Sequence, residues 1–324
     1  MKAIQASSLS SVDEYREVEI DAPQPRDGEV RVRVKACGIG YVDALVALGR
    51  YQVKPPLPHI PGSEVAGTVD AIGPSVVGLK VGDRVMTIAR GGFAEFVCAP
   101  AAATVPIPQA MSFAQAAGFR VNYLTALHGL RDRAALSPGE KLLVLGAAGG
   151  VGLAAIQVGR ALGAQIVAAA SSEAKRAFAL EHGATLTLDT AVEGWRDRLK
   201  ASLNGVGPDV VFDPVCGPLF ELAFRSLAWR GRHLVIGFAA GNIPSLPSNL
   251  TIMKGAALIG VDVRQFLLFE VARARGYLDE LLGWVAAGKI EPTVGRAFPM
   301  AQARDALTFA LSGVGMGKTV LEIA

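Results

Sequence analysis

Hydrophobic and polar positions along the chain follow two regimes. Through the first third they alternate. Residues 29–36 (EVRVRVKA) place an apolar side chain at every second position, the period of a half-buried strand. Residues 65–72 (VAGTVDAI) predict a second strand with a glycine inside it, and residues 78–85 (GLKVGDRV) a turn leading into a strand. Residues 93–97 (FAEFV) alternate again. Glycine and proline interrupt these runs, notably at 54–62 (KPPLPHIPG), as expected of a small, irregular β-rich domain.

The texture changes over residues 111–136, where Ala and Leu predict helix. Strands and helices then alternate. Residues 141–145 form a short apolar run without alternation, as in a strand buried on both faces. A helix at 151–162, a strand at 165–170 and a helix at 173–182 follow, with later strands at 209–212, 232–236 and 257–261. Two further helices are predicted at 267–287 and 301–311, and a closing strand at 319–323. This order predicts an α/β fold with a doubly wound parallel sheet.

The chemistry concentrates where the first of these apolar strands meets its helix. The segment KLLVLGAAGGVGLAAIQVGRALGA spaces Gly146, Gly149 and Gly152 as GxxGxxG, a variant of the dinucleotide fingerprint. Side chains at the middle positions would keep a pyrophosphate off the backbone. The amides at the start of the helix, at Gly150, Val151 and Gly152, would face it. A tight strand–helix connection also uses glycine, but the apolar strand before, the amphipathic helix after and the βαβ context favour a cofactor site. The end of the next strand selects the cofactor. An NAD site places Asp or Glu there. This chain has Ser171 and Ser172, then Lys175 and Arg176, with Glu173 off the strand end. Two hydroxyls and two cations suit a 2′-phosphate, so NADPH is expected. The alternative is that Lys175 and Arg176 merely decorate an exposed helix.

Composition narrows the classes. The 324 residues are 51% hydrophobic, enough for two lobes. The net charge of +3 is unclustered and aromatics are 6%, which gives neither a nucleic-acid arm nor a base-stacking platform. Cys37, Cys98 and Cys216 are odd in number and far apart, so no disulfide framework or cysteine-rich zinc lobe is readable. No apolar run approaches the ~20 residues of a membrane span, and the N-terminus does not read as a signal peptide. A soluble cytoplasmic protein is expected.

The ordered landmarks CGIGYVD, PGSEVAG, VGDRV, GAAGGVG, DVVFDPV, GRHLVIGF and GKTVL resemble the medium-chain dehydrogenase/reductase superfamily across nearly the full length. Within it the chain is most similar to the zinc-independent quinone oxidoreductases, the group that includes zeta-crystallin. The resemblance implies a GroES-like catalytic domain, residues 1–120 and 263–324, interrupted by a Rossmann NADPH-binding domain, residues 121–262. It implies a cofactor in the cleft between them, at the carboxyl ends of the parallel strands. Zinc alcohol dehydrogenases carry Cys where this chain has Gly40, and a His-Glu pair where it has Ser63 and Glu64. With two of three ligands gone, no metal is expected; His59 reads as structural.

Further roles come from the resemblance alone. Positions matching Gly40, Tyr41 and Asp43 lie beside the nicotinamide in the family, although Asn is usual at Gly40. Thr125, Gly237, Phe238 and Lys318 match further cofactor contacts, and Tyr51 matches a tyrosine of related enoyl-thioester reductases. Tyr51 is the first candidate catalyst and Tyr41 the second; lining the cleft is the plainer role for Tyr51. The implied function is an NADPH-dependent quinone oxidoreductase. Alternatives are a reductase of α,β-unsaturated carbonyls or enoyl/acryloyl thioesters, and a non-catalytic NADPH-binding protein. For coenzyme A thioesters, Arg264 with Arg273 or Arg275 would meet the phosphates; the alternative is that they are solvated surface charges. A homodimer through sheet edges at residues 256–261 is also implied.

Overall fold

A computed structural model describes residues Met1–Ala324. The chain forms two compact units: Met1–Arg120 with Pro292–Ala324, and Val121–Glu291.

The first unit is built on the strand Glu29–Ile39. The predicted alternation holds over its first half, where Val30, Val32 and Val34 are fully buried. Each such burial contributes roughly 1.5–3 kcal/mol. From Ala36 onward every residue is buried, because the C-terminal strand Lys318–Glu322 pairs there, setting Cys37 opposite Leu321 and Gly38 opposite Val320. The sheet continues through Glu64–Ile72, Arg84–Ile88 and Val105–Pro106 on one side and ends at Val294–Pro299 on the other. Phe96–Pro100 pairs with Glu29–Ile39, three residues later than the alternation at 93–97 predicts. A separate hairpin-like sheet, Lys2–Gln5 with Arg16–Glu19, carries no strong alternation and was not expected.

The single helix expected at 111–136 is broken. Ser112 and Gln115 form a capping box on Phe113–Ala117, Gly118 ends that helix, and Arg120–Leu127 follows. A wide helical turn then covers His128–Arg133. Gly118 packs on a neighbour: a Cβ there would lie 2.8 Å from Lys318 Cγ.

The second unit is a six-stranded parallel sheet. Its strands, in chain order, are Lys141–Leu145, Gln165–Ala169, Leu186–Leu188, Val210–Asp213, Arg232–Val235 and Ala257–Gly260. Their spatial order is third, second, first, fourth, fifth, sixth, the doubly wound Rossmann arrangement. The order reverses between the first and fourth strands, the switch point where such sheets bind ligands.

The return to the first unit comes at Pro292 and not at residue 263 as expected. Residues 263–291 stay because they are tied to the start of their own unit. Arg131 makes a bidentate pair with Glu280 at 2.6 and 2.9 Å. Tyr277 donates to Asp132 at 2.5 Å, and Phe266 stacks on His128 at 4.1 Å. Gln157 holds the Glu291 backbone by both its amide nitrogen and its carbonyl. The helix expected at 267–287 is two helices, Val263–Phe269 and Val271–Ala286, the first capped by Asp262.

Candidate active site

The glycine turn joins the strand Lys141–Leu145 to the helix Gly150–Ala161. Its glycines do different work. Gly146 has φ +58°, and a Cβ on it would lie 2.8 Å from Val215 Cγ2. A Cβ on Gly152 would lie 2.3 Å from the Gly146 carbonyl oxygen, so the helix closes on the turn only with glycine there. Gly149 is the N-cap, in extended conformation, and a Cβ there meets nothing nearer than 3.5 Å. No side chain caps this helix. The amides of Gly150, Val151 and Gly152 therefore lack an intrahelical partner at the positive end of a twelve-residue helix. That cradle fits the diphosphate of a dinucleotide.

Two neighbouring turns complete this rim at the carboxyl ends of the strands. Val215, after the fourth strand, packs against Gly146. The Pro214 and Val215 carbonyls accept the amides of Ala239 and Ala240, which fixes the turn carrying Gly237 and Phe238. Phe238 is exposed. At the end of the second strand, Ser171 is exposed and Ser172 caps the helix Glu173–Glu181 by accepting the Lys175 amide at 3.3 Å. Arg176 Nη1 donates to the Ala170 carbonyl at 3.2 Å, which holds its guanidinium at the strand end. Lys175 is half-buried, and burial pulls its pKa below the usual lysine value. No carboxylate lies on the strand end itself. Thr125 points back into its own helix, donating to the Val121 carbonyl at 2.6 Å.

In the first unit, the helix Tyr41–Ala47 begins at Gly40. The Gly40 amide donates to Asp43 Oδ2 at 2.7 Å, and Ser63 Oγ donates to Asp43 Oδ1 at 3.1 Å. Lys318 Nζ pairs with Glu64 Oε2 at 2.6 Å, with both side chains buried. Burial raises the Asp43 pKa above its ordinary value, partly offset by the Lys318 charge and the Gly40 amide. Burial works against the Lys318 ammonium, but Glu64 and Asp43 outweigh it and hold its pKa above the usual value. Cys37 is fully buried, and burial pushes its thiol well up. Tyr41 and Tyr51 are both half-buried, Tyr41 in the first turn of the helix and Tyr51 in the loop that follows it.

At the positions where zinc alcohol dehydrogenases carry ligands, this chain places glycine and side chains with other partners. A Cβ on Gly40 would point at Asp43 Oδ2, 3.3 Å away, and at the Lys318 ammonium, 3.7 Å away. Glu64 is engaged by that ammonium. His59 is held by Tyr15, whose hydroxyl lies 2.8 Å from its Nδ1. No group of three His, Cys, Asp or Glu could hold a metal.

Gly40, Asp43 and Lys318 thus meet in one cluster, and Gly146–Gly152, Gly237 and Phe238 in another rim. Sequence reasoning missed the engagement of Glu64 with Lys318, and missed Asp213 and His233, charged or polar residues inside buried strands. That placement was the available signal. The arginines considered for coenzyme A phosphates each have a nearby carboxylate: Arg264 with Asp262, Arg273 with Glu270 and Arg275 with Asp279.

Residues 26–109 match the family "Alcohol dehydrogenase GroES-like domain", and residues 150–281 the family "Zinc-binding dehydrogenase". The chain is 35% identical to the quinone oxidoreductase-like protein 2 homolog of Nematostella vectensis over 90% of its own length and 81% of the relative's. The chain belongs to the zeta-crystallin-like quinone oxidoreductases of the medium-chain dehydrogenase/reductase superfamily. Among solved structures, Escherichia coli quinone oxidoreductase complexed with NADPH is similar with a TM-score of 0.91 and 28% identity, covering 99% of this chain and all of the other. CurK enoyl reductase is similar with a TM-score of 0.90 and 25% identity, covering 100% and 99%.

Proposed function

We propose that the protein is a zinc-independent, NADPH-dependent quinone oxidoreductase. The observation that carries this reading is the uncapped glycine turn together with Arg176 and Lys175 at a strand end that lacks a carboxylate. The family likeness to an NADPH-complexed quinone oxidoreductase supports it. NADPH, when bound, supplies the hydride. The amides of Gly150, Val151 and Gly152 bind its diphosphate, Ser171, Ser172, Lys175 and Arg176 its 2′-phosphate, and Gly237 with Phe238 its nicotinamide end. Roles for Gly40, Asp43, Thr125 and Lys318 toward the cofactor are proposed from the family resemblance alone. Because Lys318 is paired with Glu64, its part is to fix the Gly40–Asp43 segment electrostatically.

With Gly40 and Ser63 in place of metal ligands, nothing polarises a simple carbonyl as a Lewis acid does. The acceptor must then be activated by its own conjugation, and the protein contributes positioning and a donor for the developing oxyanion. Tyr51 is the proposed donor and Tyr41 the reserve. Tyr51→Phe is expected to lower turnover while leaving NADPH affinity unchanged; unchanged turnover removes Tyr51 from the mechanism.

A second reading, reduction of α,β-unsaturated thioesters, is favoured by the likeness to CurK enoyl reductase. The pairing of Arg264, Arg273 and Arg275 with carboxylates weighs against them as phosphate ligands. Steady-state NADPH oxidation with quinones, enones and enoyl thioesters separates the two. We also propose a homodimer. The strand Ala257–Gly260 pairs on one side only, and its Leu258 is exposed. Light scattering tests this, and a monomer at high concentration overturns it.

A further inference from the structure

One polar pair lies wholly inside the second unit. Asp213 ends the strand Val210–Asp213, and His233 sits on the neighbouring strand Arg232–Val235; both are 0% exposed. His233 Nε2 lies 3.2 Å from Asp213 Oδ2. The imidazole is walled by Phe220 and Phe224, with ring centroids 4.9 and 6.1 Å away, and its Nδ1 has no partner. A doubly protonated ring would bury an orphan N–H. The neutral ring with its proton on Nε2 leaves only a lone pair unmet and donates to Asp213.

The other oxygen of Asp213 accepts the amides of Val215 at 2.9 Å and Cys216 at 2.8 Å. Cys216 stands at φ +48°, a left-handed conformation that residues with a Cβ seldom adopt. It is held there by the carboxylate. The turn it closes carries Val215, the residue packed on Gly146, and its carbonyls hold the amides of Ala239 and Ala240. One carboxylate therefore fixes the wall shared by the glycine turn and the Gly237–Phe238 turn.

We propose that His233 is a positioning residue for the dinucleotide: its Nε2–H fixes the Asp213 carboxylate, which holds Cys216 left-handed and so sets the Val215 wall of the glycine turn. This rests on reading that turn as the NADPH site. His233→Leu removes the donor. His233→Gln keeps an amide N–H at a similar reach, and Cys216→Gly takes the left-handed conformation without strain.

Steady-state kinetics with a quinone and direct fluorescence titration with NADPH read the result. His233→Leu is expected to raise the NADPH KM and Kd roughly tenfold with kcat nearly unchanged, since the wall acts on binding in ground and transition states alike. His233→Gln is expected to behave as the native protein. Cys216→Gly placed in the His233→Leu background is expected to recover most of the lost affinity, a coupling that a merely space-filling histidine would not show. Should His233→Leu not fold, His233→Asn, whose amide is too short to reach Asp213, carries the same comparison. Unchanged NADPH affinity in the donor-less variant, or no rescue by Cys216→Gly, overturns the inference. A native protein that binds no NADPH overturns instead the reading of the glycine turn on which it rests.

Discussion

Lys318→Met probes the buried charge cluster most severely. Lys318 Nζ and Glu64 Oε2 are 2.6 Å apart, with side chains 8% and 4% exposed, so solvent screens them little. At an effective dielectric of ~20 their attraction is about 6 kcal/mol. Taking both ions out of water costs several kcal/mol each, so the net value of the intact pair is small. Breaking it is another matter, because the buried partner left behind has lost its counter-ion, at about 3–5 kcal/mol. Lys318 also acts on Asp43. Its removal takes the countercharge from two buried acids, and the loss is expected near the upper end, about 4–5 kcal/mol. Glu64→Gln leaves the ammonium with Asp43 and is expected to cost less, about 3 kcal/mol. The double variant is expected to lose less than the sum.

The same variant has a pH signature. Burial already places the Asp43 pKa above its unfolded value, and the Lys318 charge is the chief opposing influence. Without that charge the pKa rises further. A group whose folded pKa is raised lends stability that is fully present below the unfolded pKa and lost as pH rises through the folded one. Lys318→Met is therefore expected to regain stability, relative to the native protein, as pH falls toward the unfolded aspartate pKa of about 3.9. Urea unfolding at each pH, read as midpoint and slope, measures this. A loss under about 1 kcal/mol, or a loss that does not change with pH, refutes the reasoning.

Other expectations follow from the glycine turn and its neighbours. Gly149→Ala is expected to leave unfolding stability within about 0.5 kcal/mol, since its Cβ meets nothing closer than 3.5 Å, yet to weaken NADPH binding in a fluorescence titration. Gly152→Ala is expected to destabilise the fold as well, because its Cβ would sit 2.3 Å from a backbone oxygen; thermal unfolding checks it. Arg176→Ala is expected to raise the KM for NADPH roughly tenfold and leave that for NADH unchanged, as loss of a charge-assisted phosphate contact requires. Equal effects on the two cofactors would remove Arg176 from the 2′-phosphate site.

The sheet of the second unit was readable because each of its early strands is an apolar run closed by a turn. Residues 141–145 match the observed strand to the residue, and the glycine turn lies where its spacing put it. Leu186–Leu188 was not readable: three residues carry no period. The break at Gly118 was hidden because Ala and Leu favour helix on both sides of it, and the close approach of Lys318 that leaves no room for a Cβ there is a tertiary contact. The late return at Pro292 was hidden for a similar reason, since Arg131–Glu280 and Tyr277–Asp132 join residues about 150 positions apart. At the site, residue types were legible but their engagements were not. The sequence marks Lys318 as a cofactor contact; in the fold its ammonium donates to Glu64. Likewise Ser172 was read as a phosphate ligand, and its hydroxyl also caps a helix.

The central claim is that this glycine turn holds NADPH for transfer to an acceptor activated by conjugation. Its most direct test is steady-state oxidation of NADPH and of NADH by metal-free protein against a panel of quinones and enones. The account predicts turnover with quinones, preference for NADPH, and no change when zinc is added or chelated. Turnover that appears only with zinc, or NADPH that binds tightly and is oxidised by none of the acceptors, would contradict it.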